Sequence, residues 1–307
     1  MADPKLIPII GCDNSNRSGD VIFVHGLGGD GLTTWHTQPQ EIDTLRTQPG
    51  KKFKPAELSF WPAWLGQERT DLGIWSLDYD IEPSDWHGPT LPLAKQANLI
   101  LKVLENRRIG QRPLVFITHS MGGLLVKQML RSALDFGPPR WKQIVEQTKG
   151  IVFLATPHTG SSRANFAQSI NSLLLNIGRL TVSVEELQHG HSRLLELDEV
   201  YWKHERLRTI PVQCYGETAP LGAFGIIVDA VSAKFSKDLP LIEIPGADHL
   251  TICKIASAQK EDSVVYNSTL LFLEDCFPPQ TPVRLPMALK PLPQTIPEKT
   301  PNPQQPL

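Results

Sequence analysis

A chain of 307 residues with 40% apolar and 20% charged side chains can build a sizeable buried core, which excludes a disordered protein. Its formal net charge of −2 offers no electrostatic footprint for nucleic acid, so no nucleic-acid partner is expected.

Over residues 1–277, β-rich runs alternate with amphipathic segments, which predicts an α/β domain with a mostly parallel sheet covered by helices on both faces. The first clear run, Val21–His25, ends at Gly26-Leu27-Gly28-Gly29. Gly26 to Gly31 also spells G-x-G-x-x-G, a dinucleotide fingerprint. That reading needs a helix to open here and an acidic residue closing the next strand. The residues that follow, Leu-Thr-Thr-Trp-His, open a helix poorly, so the loop fits better as an oxyanion loop. Residues 36–70 form a polar excursion ending in Trp61-Pro-Ala-Trp64-Leu65, expected as a short helix opened by its proline. A strand is predicted at 73–79 and a helix at 93–107, followed by a strand at 114–119.

That strand stops at His119-Ser120-Met121-Gly122-Gly123, and helical periodicity resumes over 122–134. A serine between a strand and a helix, with small residues behind it, is the arrangement of a nucleophile elbow. Thr118 stands where glycine is common in that motif, and a serine helix cap is the competing explanation. Strands follow at 150–155, 210–215 and 239–244, and a helix at 263–276. The amphipathic stretch 161–205 lies where this fold usually carries a cap, and it and Trp61 and Trp64 are candidates to cover an acyl chain or simply to pack. Residues 278–307 contain ten prolines and are expected to form an unpacked tail, with a protein partner conceivable only there.

Chain order in α/β-hydrolases is serine, acid, histidine. His249, in Asp248-His249-Leu-Thr after the last predicted strand, is the candidate base; His25 and His119 are read as packing or hydrogen-bonding residues. His158, after the 150–155 strand, is a candidate to line the site. Glu217 ends the strand before that of His249 and is the favoured acid, with Asp229 and Asp248 as alternatives. The backbone N–H groups of Leu27 and Met121 are the expected oxyanion donors.

Taken together, Phe23-Val-His-Gly-Leu-Gly-Gly, Ile117-Thr-His-Ser-Met-Gly-Gly-Leu-Leu-Val-Lys127, Thr156-Pro-His-Thr-Gly-Ser161, Glu217-Thr218 and Asp248-His249-Leu-Thr-Ile-Cys-Lys254 resemble the serine-active-site-containing lipase-like family. That family is itself similar to GPI-inositol-deacylase-like hydrolases. The resemblance spans about residues 20–275 and implies an α/β-hydrolase fold with Ser120 as nucleophile and His249 as base. It also matches Glu217 better than Asp229. The expected activity is hydrolysis of a carboxylic ester, a lipid acyl ester by resemblance, through an acyl-enzyme. Acyl transfer to a lysolipid and a non-catalytic binding module are the alternatives. No cofactor is expected, and no His/Asp/Cys grouping has metal-ligand spacing. Four separated cysteines without a CxxC pair predict free thiols in a reducing compartment. The N-terminus shows no signal-peptide pattern, and no apolar run approaches the ~18 residues of a spanning helix. The expectation is a cytoplasmic protein, in contact with a membrane peripherally if at all.

Overall fold

In the computed structural model, residues 3–38, 59–80, 92–158, 196–236, 238–257 and 260–278 are described. Seven strands form one sheet: β1 (Lys5–Ile10), β2 (Gly19–Val24), β3 (Leu72–Asp78), β4 (Leu114–His119), β5 (Thr148–Leu154), β6 (Val212–Glu217) and β7 (Leu241–Ile244). Their spatial order is β1-β3-β2-β4-β5-β6-β7; β1 runs antiparallel to β3, and every other pair is parallel.

β2 and β4 are buried along their whole length, as a parallel sheet covered on both faces requires. Strand alternation divides their side chains between two cores. Ile22, Val24, Leu114 and Phe116 face the helices α2 (Pro92–Asn106), α3 (Met121–Asp135) and α4 (Pro139–Gln147). Val21, Phe23, Val115 and Ile117 face α1 (Trp61–Glu68) and α7 (Val264–Cys276). Two short helices, α5 (Glu205–Arg208) and α6 (Ala230–Ala233), lie between β5 and β7 in sequence. The expected cap, 161–205, falls mostly outside the described residues; its last part is helical over 196–203. The tail from residue 279 onward also lies outside them.

Some elements differ from the sequence-based expectation. β1 was not predicted, because Pro8 interrupts its apolar run. An edge strand tolerates that proline, and its pairing with β3 shifts register between Pro8 and Ile10. β6 and β7 begin about two residues later than predicted, directly after Pro211 and Pro240, which have no N–H to give to a ladder. α4 was also missed; it buries only Ile144 and Val145, too narrow a stripe to stand out. α1 does open with a proline in its first turn, but Trp61 and Trp64 are buried in the core beneath the sheet. Trp61 meets Phe23 edge-to-face at 4.8 Å and donates its indole N–H to the Cys253 carbonyl at 2.9 Å. Packing accounts for both tryptophans.

The amino-end edge of the sheet carries a buried ion pair. Asp20, at the start of β2, accepts from Arg17 Nε and from Trp75 Nε1, both at 2.7 Å on one carboxylate oxygen. Removing that carboxylate leaves the buried Trp75 indole N–H and Arg17 Nε without an acceptor, while Arg17 Nη1 keeps the Cys12 and Asn14 carbonyls. Asp20→Ala is expected to destabilise the fold by about 3–5 kcal/mol, read as a lower urea midpoint at unchanged m-value.

Candidate active site

Parallel strands β2, β4, β5, β6 and β7 all end at one edge of the sheet, and the loops that follow them converge there. β4 turns into α3 at Ser120, whose backbone adopts φ 52° and ψ −127°. A side-chain-bearing residue avoids that region, so the turn stores strain of roughly 1–3 kcal/mol. Its neighbours hold it in place. Ser120 N–H donates to the Leu154 carbonyl at 2.8 Å, and Gly123 N–H donates to the Ser120 carbonyl at 3.1 Å. Gly122 lets α3 approach β2, because a Cβ there would sit 2.4 Å from the carbonyl oxygens of Val24 and His25. Thr118, in place of the common glycine, fits because its hydroxyl donates across the ladder to the Val152 carbonyl at 2.9 Å. The serine hydroxyl turns toward His249 at 2.9 Å and does not cap α3, since no side-chain cap bond forms.

The structure brings Ser120, His249 and Glu217 into a continuous chain. His249 Nε2 lies 2.9 Å from Ser120 Oγ, and His249 Nδ1 lies 2.6 Å from Glu217 Oε2. A carboxylate can only accept, so Nδ1 carries the proton and Nε2 presents a lone pair to the serine hydroxyl. All three residues are buried. Glu217 is held through its other oxygen, Oε1, by the N–H groups of Ile227 at 2.5 Å and Val228 at 2.8 Å. Those two donors carry no sequence signal, since any residue type supplies a backbone N–H. The alternative acids are occupied elsewhere: Asp229 caps α6 by accepting from Ser232 N–H, and Asp248 accepts from Leu250 and Thr251 within its own loop.

The glycine loop after β2 sits against the serine turn; a Cβ on Gly26 would stand 2.8 Å from Ser120 Cβ. Leu27 follows directly, and Met121 opens α3, whose first N–H groups have no intrahelical acceptor. The loop is braced by His25, which stacks on Tyr79 at 4.3 Å, donates from Nδ1 to the Gly26 carbonyl and accepts the Tyr79 N–H at Nε2. Beyond Gly29, the Asp30 carboxylate accepts from the Leu32 and Thr33 N–H groups and leads into a single 3-10 turn, Thr33–Trp35, where a phosphate-binding helix would have to open.

His119, the residue before the serine, places Nε2 2.8 Å from the His249 carbonyl. His158 packs edge-on against Phe153 and Phe235, and neither ring nitrogen has a hydrogen-bond partner among the described residues. Lys127, fully buried on α3, pairs with Asp198 at 2.5 Å and lies over the Phe235 ring. Among the described residues, no group of three His, Cys, Asp or Glu side chains could hold a metal ion, and no helix is long and apolar enough to cross a membrane. All four cysteines are free.

A mostly parallel sheet with a left-handed serine at a strand–helix corner defines a lipase-like α/β-hydrolase. Residues 18–200 match the PGAP1-like alpha/beta domain, and the chain belongs to that family. It is 32% identical over 272 residues to protein SERAC1 of Danio rerio, covering 85% of this chain and 40% of that protein. The Homo sapiens SERAC1 protein is 32% identical over 268 residues, covering 83% and 38%. The chain thus spans about two fifths of the length of these curated relatives. Among solved structures, phospholipase PlaB from Legionella pneumophila superposes with a TM-score of 0.51 at 14% identity, over 84% of this chain and 61% of that one. This last is a likeness of fold.

Three buried histidines around the site give the fold a pH limit. Burial holds His25, His119 and His158 below the ordinary value of 6.5, with His249 adding to the effect on His119 and Lys127 to that on His158. Below pH 6.5 the unfolded chain therefore binds protons that the folded chain refuses, so stability is full above that pH and falls beneath it. Each histidine contributes a slope of up to about 1.4 kcal/mol per pH unit. Urea midpoints measured at pH 7.5, 6 and 5 are expected to fall steeply across the series.

Proposed function

We propose that this chain hydrolyses carboxylic esters, lipid acyl esters being the favoured class, through an acyl-enzyme on Ser120. The observation that carries the reading is the buried Ser120–His249–Glu217 chain ending on a serine at φ 52°. Ser120 Oγ attacks the ester carbonyl while its proton passes to His249 Nε2. Glu217 stabilises the imidazolium through the 2.6 Å bond at Nδ1 and is itself fixed by Ile227 and Val228. The Leu27 and Met121 N–H groups receive the developing oxyanion. His249 then protonates the leaving alcohol, and water, activated by the same histidine, releases the acid.

The lipid assignment rests on the resemblance carried by the motifs and on apolar side chains beside the acid and base. Phe224, Ile226 and Val231 stand exposed in the segment after Glu217, and Leu250 directly after His249. Such side chains suit a substrate met at a lipid surface. A second acceptor is favoured by the burial of the nucleophile and base, Ser120 at 1% and His249 at 0% exposure, since a dry site can pass the acyl group to a lysolipid hydroxyl rather than to water. The proposal assigns the chemistry to residues 1–277 and leaves 278–307 as a tail outside it.

Steady-state hydrolysis of p-nitrophenyl esters of increasing chain length tests the reading, with lysophospholipid added to reveal transfer. Ser120→Ala is expected to abolish turnover. Glu217→Gln keeps an acceptor for Ile227 and Val228 but turns an amide N–H toward Nδ1. That drives the imidazole proton to Nε2, which then cannot accept from Ser120. Its kcat is expected to fall on the order of 10³-fold or more with little change in KM. Folded wild type without ester turnover would leave the binding-module reading standing instead.

A further inference from the structure

Serine and histidine come from segments 129 residues apart, yet their reacting atoms must hold a separation of 2.9 Å. Catalytic pairs lose rate steeply when misplaced, about 10²-fold for an error near 1 Å. The loop bearing His249 is anchored at its ends to its own surroundings: Thr218 and Ala219 N–H groups donate to Ala247, and Ile252 N–H donates to Asp248. None of these bonds refers the base to the nucleophile. Among the described residues, one hydrogen bond besides the Ser120–His249 bond itself joins residues 118–121 to the loop 245–253. It runs from His119 Nε2 to the His249 carbonyl oxygen at 2.8 Å.

We propose that His119 is a positioning residue that sets the height of the base over the nucleophile by holding the His249 main chain. The inference rests on Ser120 and His249 being the reacting pair. Three observations support it. A carbonyl only accepts, so Nε2 must carry hydrogen and the ring is the neutral Nε2–H tautomer. Burial, with His249 close by, keeps His119 neutral well below its ordinary range, so the donor persists wherever His249 works. The same ring reaches the third part of the site. Its centroid is 4.9 Å from that of His249, and its Nδ1 lies 3.2 Å from where a Gly26 Cβ would stand. One side chain at the end of β4 therefore touches the base, the glycine loop and, through its own peptide, the nucleophile.

The test compares His119→Gln, His119→Asn and His119→Leu with wild type. Glutamine places an amide N–H about as far from Cα as imidazole Nε2, asparagine falls a methylene short, and leucine fills volume without a donor. Turnover of a short p-nitrophenyl ester and the rate of fluorophosphonate capture are measured for each. A ¹⁵N-edited NMR spectrum follows the His249 Nδ1–H proton held by Glu217. Leucine and asparagine variants are expected to lose roughly 10–100-fold in kcat with KM within about threefold, and to shift the His249 proton. The glutamine variant is expected to recover most of the rate and the wild-type resonance. Wild-type kcat in the leucine or asparagine variant, or a glutamine variant as slow as asparagine, would overturn the proposal and reduce His119 to packing. If wild type neither turns over ester nor captures the probe, the hydrolase reading fails. The proton resonance alone then decides the positioning role, by whether glutamine keeps it and asparagine shifts it.

Discussion

The site depends on one strained residue. Ser120 occupies a left-handed conformation that the chain would leave if its surroundings allowed. Its N–H is tied to β5, its carbonyl to the first turn of α3, and the helix behind it is pressed against β2 through Gly122. The strain is therefore offset by ladder and packing terms that belong to the whole parallel sheet. Because the hydroxyl stands at the end of β4, it is met by loops that leave the same edge of the parallel sheet. The site's composition follows from that shared edge: the glycine loop comes from β2, Ser120 from β4, Glu217 from β6 and His249 from the loop after β7.

Polarity within that edge is organised around neutral imidazoles. His25 braces the glycine loop through Gly26 and Tyr79, and His119 reaches the base through its main-chain carbonyl. Both tautomers are dictated by their partners, and burial keeps both rings uncharged. A second cation beside His249 would oppose the imidazolium that forms during proton transfer. Glu217, enclosed by two backbone donors and the His249 ring, is the carboxylate bonded to that ring among the described residues.

Much of this was legible in the chain. Ser120 and the glycine loop stand out because an apolar run that halts at small residues is a local pattern, and His249 because a loop after the last strand is a topological position. The parallel sheet followed from alternation alone. What stayed illegible is long-range. Position at a strand end favoured Glu217 over Asp229, but that Asp229 caps α6 is seen only in the structure. The bond from His119 to His249 spans 130 residues, and the donors to Glu217 are main-chain groups. β1 was hidden by Pro8, which is acceptable only at a sheet edge that the sequence does not announce. For Trp61 and Trp64 the sequence left acyl-chain covering and packing both open, and they fill the core under the sheet, because burial of aromatic area carries no directional mark in sequence.

The most direct test of the account is peptide mapping of the protein after reaction with a fluorophosphonate, in the wild-type chain at neutral pH. The account predicts a single adduct on the peptide containing Ser120, formed at a rate that free serine does not approach. An unmodified Ser120 in folded protein, or an adduct distributed over other hydroxyl groups, would contradict the claim that this turn presents an activated nucleophile.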